Sequence, residues 1–338
     1  MGHELNRAWT LAARPHGAPK PSDFALTETP IPEPGPGQVL IATHYHSLDP
    51  YMRGRMNAPG ATSYTAPVAI GGVMEADAVG EVVASNSDLF AVGDFAMGKI
   101  GWQEYGVMDA RDVRRVDPAV APISTSLGIL GMPGLTAYHG LFEVARPVAG
   151  DTVVVTAAAG AVGSVVGQLA KRGGCRVIGV AGSPAKVDYV VGDMGFDAAI
   201  DYKREEVAER LRELCPRGID IYWDNVGGAV TDAAIDRIAV GGRAVVCGQI
   251  ALYNANSMPQ GPRNIPRMLL SRRARMEGFL VFQFAARHAE ALARLTAWVR
   301  DGTLRYREDV VEGIERAPQA FIGLLAGANF GKLVVKVR

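Results

Sequence analysis

Between about residues 150 and 250, apolar runs and amphipathic stretches take turns along the chain. DTVVVT (151–156) is β-branched and unbroken, as a strand covered on both faces must be. AVGSVVGQLAKR (161–172) shifts to helical spacing. CRVIGVAG (175–182) predicts a second strand, and PAKVDYVVGDMG (184–195) a helix that stops at glycine. DAAID (197–201), DIYWDNV (220–226) and RAVVCGQI (243–250) predict further strands. This alternation is the pattern of βαβ units in a doubly wound parallel sheet, an α/β fold. Residues 1–120 read differently. QVLIAT (38–43), AVGEVVA (78–84) and YGVMD (105–109) are short strands punctuated by Gly, Pro and Asp. VGD (92–94) is a turn, and PIPEPGPG (30–37) is too proline-rich for a helix or a central strand. STSLGILGMPGLTAYHGLFEVA (124–145) has helical spacing broken by Gly and Pro. Late in the chain, MEGFLVFQF (276–284) reads as a strand and ARHAEALARLTAWVRDG (286–302) as an amphipathic helix stopped by Gly302. GKLVVKVR (331–338) reads as a strand that rejoins the first region. The expected organisation is a β-rich domain of residues 1–122 and 303–338, with the parallel-sheet domain, 123–302, inserted in it.

A length of 338 residues fits two domains. The 35 basic and 35 acidic side chains cancel, so the chain offers no general electrostatic attraction for nucleic acid or an anionic membrane. Cys175, Cys215 and Cys247 are odd in number and far apart, which builds neither a disulfide framework nor a four-cysteine zinc lobe. The first residues lack an apolar signal core, and no run of 18 apolar residues occurs. A cytoplasmic protein without membrane spans is expected.

The sharpest local signal is AAAGAVGS (157–164), after a strand and opening a helix. Set on G-x-G-x-x-G, its positions are Ala158, Gly160 and Gly163. The second glycine lets the backbone approach a pyrophosphate, the third lets helix and strand pack closely, and the helix N-terminus presents free N–H groups. The alternative is a glycine-rich turn without a ligand. NAD sites commonly end the second strand on an acid that holds the ribose hydroxyls. VAGSPAK (180–186) has none there. Gly182 and Ser183 give room and a hydroxyl, Lys186 a cation, and Tyr202 follows the third strand, so NADP is preferred. The alternatives are a solvated Lys186 and a Tyr202 that merely covers apolar surface.

MPGLTAYHGL (132–141), AAAGAVGS, GCRVIGVAGSPAK (174–186), DYK (201–203), YWDNVGG (222–228), CGQIALYN (247–254) and NFGKLVVKV (329–337), with NRAWTLAARPHGAP and SLDPYMRGRM (47–56) before them, stand in order along nearly the whole chain. Together they resemble the zinc-independent medium-chain dehydrogenase/reductases. Within these they resemble the branch of leukotriene hydroxydehydrogenase/prostaglandin reductase, plant alkenal double-bond reductases and bacterial curcumin reductase. The resemblance implies a Rossmann domain inserted in a GroES-like catalytic domain. It implies NADPH-dependent reduction of a carbon–carbon double bond conjugated to a carbonyl. It also implies that Gly160, Ala161, Val162, Gly163 and Ser164 hold the pyrophosphate, and Gly182, Ser183, Lys186 and Tyr202 the 2′-phosphate corner. Pro50, Met132, Thr136, Asn225, Cys247, Gly248, Ile250, Tyr253, Phe279, Leu280, Val281 and Asn329 would line the rest. Asn225 has its own logic, an amide at a strand's C-terminal end where such sheets bind ligands; the alternative is a turn asparagine.

Zinc dehydrogenases of the wider superfamily polarise a carbonyl with the metal. Here GGVMEADAVG (71–80) stands where a G-H-E motif is expected, and SLDPYMR where the first ligand is. His44 and His46 share a strand face but have no further ligand nearby in sequence, so no metal is expected. A conjugated alkene needs none: hydride adds to the β-carbon and hydrogen-bond donors stabilise the enolate. Tyr253 is the expected catalytic donor, with water or a ribose hydroxyl as alternatives; Tyr51 is expected to bind substrate. Asp49, before proline, reads as a turn residue. Met56, Tyr64, Met258 and Met268 suggest an apolar, adaptable pocket. The competing readings are a quinone reductase of the same fold and a non-catalytic NADP-binding relative. The apolar MEGFLVFQF segment suggests a sheet edge that pairs in a homodimer.

Overall fold

The structure is a computed structural model and describes residues 5–60, 66–255 and 265–338. It contains two compact units, one drawn from residues 1–128, 308–329 and 333–338, the other from 129–307 and 330–332.

In the first unit, β1 (Leu5–Leu11) pairs antiparallel with β2 (Phe24–Pro30). The following prolines carry the chain to β3 (Gln38–Ser47), which lies between β4 (Ala78–Ser85) and β6 (Tyr105–Asp109) on part of its length. β5 (Phe95–Gly98) and β7 (Arg114–Val116) extend the sheet. The changeover falls after residue 128 because Ile123 and Leu127 still pack on Val79.

The second unit opens with α1 (Met132–His139), continued by a π-helical turn, Gly140–Ala145. Then strand and helix alternate: β8 (Thr152–Thr156), α2 (Gly163–Arg172), β9 (Arg176–Ala181), α3 (Pro184–Gly192), β10 (Ala198–Asp201), α4 (Val207–Leu214), β11 (Ile219–Asp224) and α5 (Ala229–Asp236). β12 (Ile238–Val246), α6 (Ile265–Arg272), β13 (Arg275–Gly278) and α7 (His288–Arg300) complete it. The six strands are parallel in the order β10-β9-β8-β11-β12-β13. All of β8 is buried, which explains its unbroken β-branched run. The winding reverses between β8 and β11, and ligands of such sheets bind outside the strands' C-terminal ends at that point.

The chain then returns to the first unit. β14 (Glu308–Glu312) is followed by α8 (Ala317–Leu325) and by β15 (Lys332–Lys336), which pairs with β3. Phe321 of α8 meets Trp102 edge-on at 5.5 Å, and Trp102 stacks on Phe24 at 5.7 Å and on His46 at 5.7 Å. His44 packs edge-on against Phe95. No helix among the described residues is long and apolar enough to cross a membrane.

Three expectations need correction. RAVVCGQI is a strand only to Val246, because Cys247 and Gly248 turn back to donate both N–H groups to the Asp224 carbonyl. MEGFLVFQF is a strand only to Gly278, where its partner β12 ends. Beyond it, Val281–Arg287 coils into 3-10 turns, with Gln283 accepting the Leu280 N–H. Met56 is a core residue rather than a pocket wall, fully buried with Trp102 and Phe321; Met268 is half-buried against the cluster that holds Ile235 and Ile238. Tyr64 and Met258 lie outside the described residues.

Candidate functional site

The turn after β8 is held in one shape by its small residues. Ala157 takes a left-handed φ of 49°, and its carbonyl accepts the Gly160 N–H at 2.9 Å. A side chain at Gly163 would collide with that same carbonyl. Ala158, in the first glycine position of the motif, fits because Gly179 on β9 leaves space for its methyl group. Ser164 donates its hydroxyl to the Gly160 carbonyl at 2.8 Å, so its proton is already taken. α2 has no side-chain cap, and among the described residues the N–H groups of Val162 and Gly163 meet no acceptor. Free N–H groups at the start of a ten-residue helix suit a phosphate. The turn is braced from outside: Gly331 donates to the Ala159 carbonyl at 3.0 Å and bridges Gly160.

At the end of β9 the expected 2′-phosphate residues stand together. Ser183 caps α3 by accepting the Lys186 N–H, which explains its residue type without any ligand. Lys186 is half-buried in the same first turn. The Tyr202 N–H donates to the Ala181 carbonyl, and its ring lies across Gly182 so closely that a Cβ there would be 2.7 Å from it. Lys203 lies 5.9 Å from the Tyr202 ring centroid. No acid ends β9, and room, a phenol and two lysines fit a phosphorylated ribose better than a bare one.

A third group gathers beyond β11 and β12. Asp224, buried, accepts the N–H groups of Val226 and Gly227 at 2.9 and 2.8 Å, and the Thr231 and Tyr222 hydroxyls. Its carbonyl takes Cys247 and Gly248, while the Asn225 carbonyl takes Ile250. One loop is thereby laid over the other. The Asn225 amide is occupied: Nδ2 donates to the Thr156 carbonyl at 2.7 Å, and Oδ1 accepts from Trp223 Nε1 at 3.1 Å. It latches β11 to β8. The Cys247 thiol is pushed up to about 12 by burial and by the nearby Asp224 carboxylate. The Tyr253 hydroxyl reaches back over the loop, where a Cβ on Gly248 would be 3.3 Å from it. Burial raises the Tyr253 phenol above its ordinary range, and the Gln249 N–H donating to its oxygen opposes this. A phenol whose oxygen accepts one bond keeps its own proton to donate. Nearby, the Phe279 ring turns inward against Trp223, with Gly140 small enough to admit both. Leu280 is half-exposed, and the Val281 carbonyl accepts from His288 Nε2. Thr136 donates to the Met132 carbonyl at 2.7 Å within α1.

Pro50, Tyr51 and Asn329 belong to the first unit. Tyr51 opens a helical turn, Met52–Arg55, and its phenol is held far above the usual range by burial, then by the charges of Asp49, Asp77 and Glu75. Asp49 is buried and accepts the Ser47 hydroxyl, as a turn residue does. Asp224 is the residue that sequence reasoning missed. Its signal was present in D-N-V-G-G, an aspartate two and three residues before the N–H groups it caps.

A family model described as the N-terminal domain of oxidoreductase matches residues 7–116, and one described as zinc-binding dehydrogenase matches residues 161–297. Among the described residues, no three His, Cys, Asp or Glu side chains are grouped to hold a metal ion. The chain is 46% identical to the NADPH-dependent curcumin reductase of Escherichia coli, over 99% of this chain and 97% of that one. It is 41% identical to the NADP(+)-dependent 2-alkenal reductase of Nicotiana tabacum, over 95% and 94%. The crystal structure of CurA from Vibrio vulnificus in complex with NADPH superposes with a TM-score of 0.94 at 46% identity, covering 98% of this chain and 99% of that one.

Proposed function

The chain belongs to the zinc-independent medium-chain dehydrogenase/reductases, among the NADPH-dependent curcumin, prostaglandin and alkenal reductases, and on that premise we propose that it reduces the conjugated carbon–carbon double bond of α,β-unsaturated aldehydes and ketones. Its cofactor is NADP(H). The observation that carries the substrate reading is the protonated Tyr253 phenol laid over Gly248, outside the C-terminal ends of the strands flanking the switch point.

Bound NADPH supplies a hydride. The N–H groups of Val162 and Gly163 would hold the pyrophosphate, and Lys186 with the Tyr202 hydroxyl the 2′-phosphate. The Cys247–Ile250 loop, fixed through Asp224 and Asn225, would form the wall toward the nicotinamide. Tyr253 holds a proton at Oη through neutral pH, ready for the carbonyl oxygen or the α-carbon of an alkene that gains electrons at its β-carbon. Tyr51, whose phenol is equally protonated, is the substrate-binding donor proposed in the first unit. A phenol donor suits the oxygen of the enolate that forms as hydride reaches the β-carbon, which favours the conjugated alkene as the reactive bond. The test follows NADPH oxidation against enals, aryl enones, oxo-lipids and quinones. Turnover of enals and enones with saturated products supports the reading; oxidation by quinones alone, or by nothing, contradicts it.

A further inference from the structure

Arg307 is a cation that the reaction above does not use. Among the described residues its guanidinium meets no carboxylate; it sits over the Phe330 ring, 4.1 Å from the centroid. Phe330 in turn meets the Tyr189 ring edge-on at 4.8 Å. Tyr189 lies three residues after Lys186 on α3, and residues so spaced share one helix face. Its buried hydroxyl has no hydrogen-bond partner among the described residues.

The backbone fixes the other side. The Arg307 carbonyl accepts the Lys332 N–H at 2.9 Å, and Gly331 passes so close to Arg307 that a side chain there would strike the Arg307 carbonyl. Gly331, at φ +84°, is the residue that braces Gly160 in the phosphate turn. Arg307 is therefore tied to the pyrophosphate turn through Gly331 and to the Lys186 face of α3 through Phe330 and Tyr189. A guanidinium resting on an aromatic face keeps its planar fork of donors outward, and that fork matches a phosphate.

We propose that Arg307 is a second cation for the 2′-phosphate of NADPH, acting beside Lys186 and setting the preference for NADPH over NADH. This rests on the NADP(H) reading but not on the substrate. The test measures binding without substrate, by nicotinamide fluorescence for NADPH and NADH and by calorimetry for 2′,5′-ADP and 5′-AMP. Arg307→Met keeps the apolar stem on Phe330 and removes the charge. It weakens NADPH and 2′,5′-ADP by about 10-fold or more, and NADH and 5′-AMP by less than about 3-fold. Arg307→Lys restores part of the difference. Phe330→Leu leaves the charge without its platform and gives a smaller loss, again selective for the 2′-phosphate ligands. Unchanged NADPH affinity in all three variants overturns the proposal. So does an equal loss for both dinucleotides, which would assign the guanidinium to the pyrophosphate or to the fold.

Discussion

Tyr253 carries the chemistry proposed for this protein, and its hydroxyl separates from its ring by one substitution. Tyr253→Phe keeps the packing and removes the donor. It lowers kcat on an enone by about 10²–10³-fold, the range for losing one preorganised donor, and changes NADPH affinity little. Steady-state kinetics with a fluorescence titration checks this; near wild-type turnover hands the proton to water or a ribose hydroxyl. The buried thiols make a prediction about stability. Cys175 and Cys215 are raised to about 11 by burial, from an ordinary 9.0. Ionisation is easier in the unfolded chain, so their contribution is complete below about pH 9 and is lost as pH rises toward 11. The urea midpoint falls through that window, and Cys215→Ala flattens the fall; an unchanged slope in the variant contradicts the assignment. Residue types at the site were legible from sequence, but what their polar atoms touch was not. Ser164, Thr136 and Asn225 each read as cofactor contacts, yet each has a donor taken by nearby backbone. A hydroxyl in a first helical turn reaches the backbone four residues back as readily as a ligand, and only coordinates distinguish them.

The turn from β8 into α2 was the most legible element, because its glycines answer to steric needs that spacing alone exposes. Gly163 is the sharpest case, since a Cβ there would run into the Ala157 carbonyl. Gly163→Ala must push α2 away from β8. We expect NADPH to weaken by about 10-fold or more, with a loss of roughly 1–3 kcal/mol in stability, as overpacking usually costs. Calorimetry and urea unfolding measure both; normal affinity would mean that the turn does not hold phosphate. Elsewhere the element boundaries depended on partners that a one-dimensional pattern does not contain. RAVVCGQI and MEGFLVFQF are mostly apolar, so the pattern extends both as strands. Their ladder stops where Val246 pairs with Gly278, because the Asp224 carbonyl draws Cys247 and Gly248 out of register. The pattern of DIYWDNV makes Asp224 one more strand residue, although the strand ends on it and four donors converge on its carboxyl group.

The βαβ alternation made the parallel sheet legible, and the strand-like C-terminus told of a return to the first region, where it pairs with β3; the strand order and its switch point came only with the structure. Among the described residues β13 pairs on one side only, with β12, and it is mostly exposed. Such an edge invites another strand, and the expected partner is the same edge of a second copy, giving a homodimer with a continuous sheet. Light scattering at micromolar concentration should give twice the chain mass, and Glu277→Pro, which places a ring and no N–H in the edge, should give monomers. A monomeric wild type contradicts this. The central claim concerns where the hydride goes, and one measurement meets it directly: reduction of an enone with NADPH deuterated at its transferable position, with the product examined by mass spectrometry and NMR. The account predicts a saturated ketone with deuterium on the former β-carbon. An allylic alcohol with deuterium on the carbonyl carbon would contradict it.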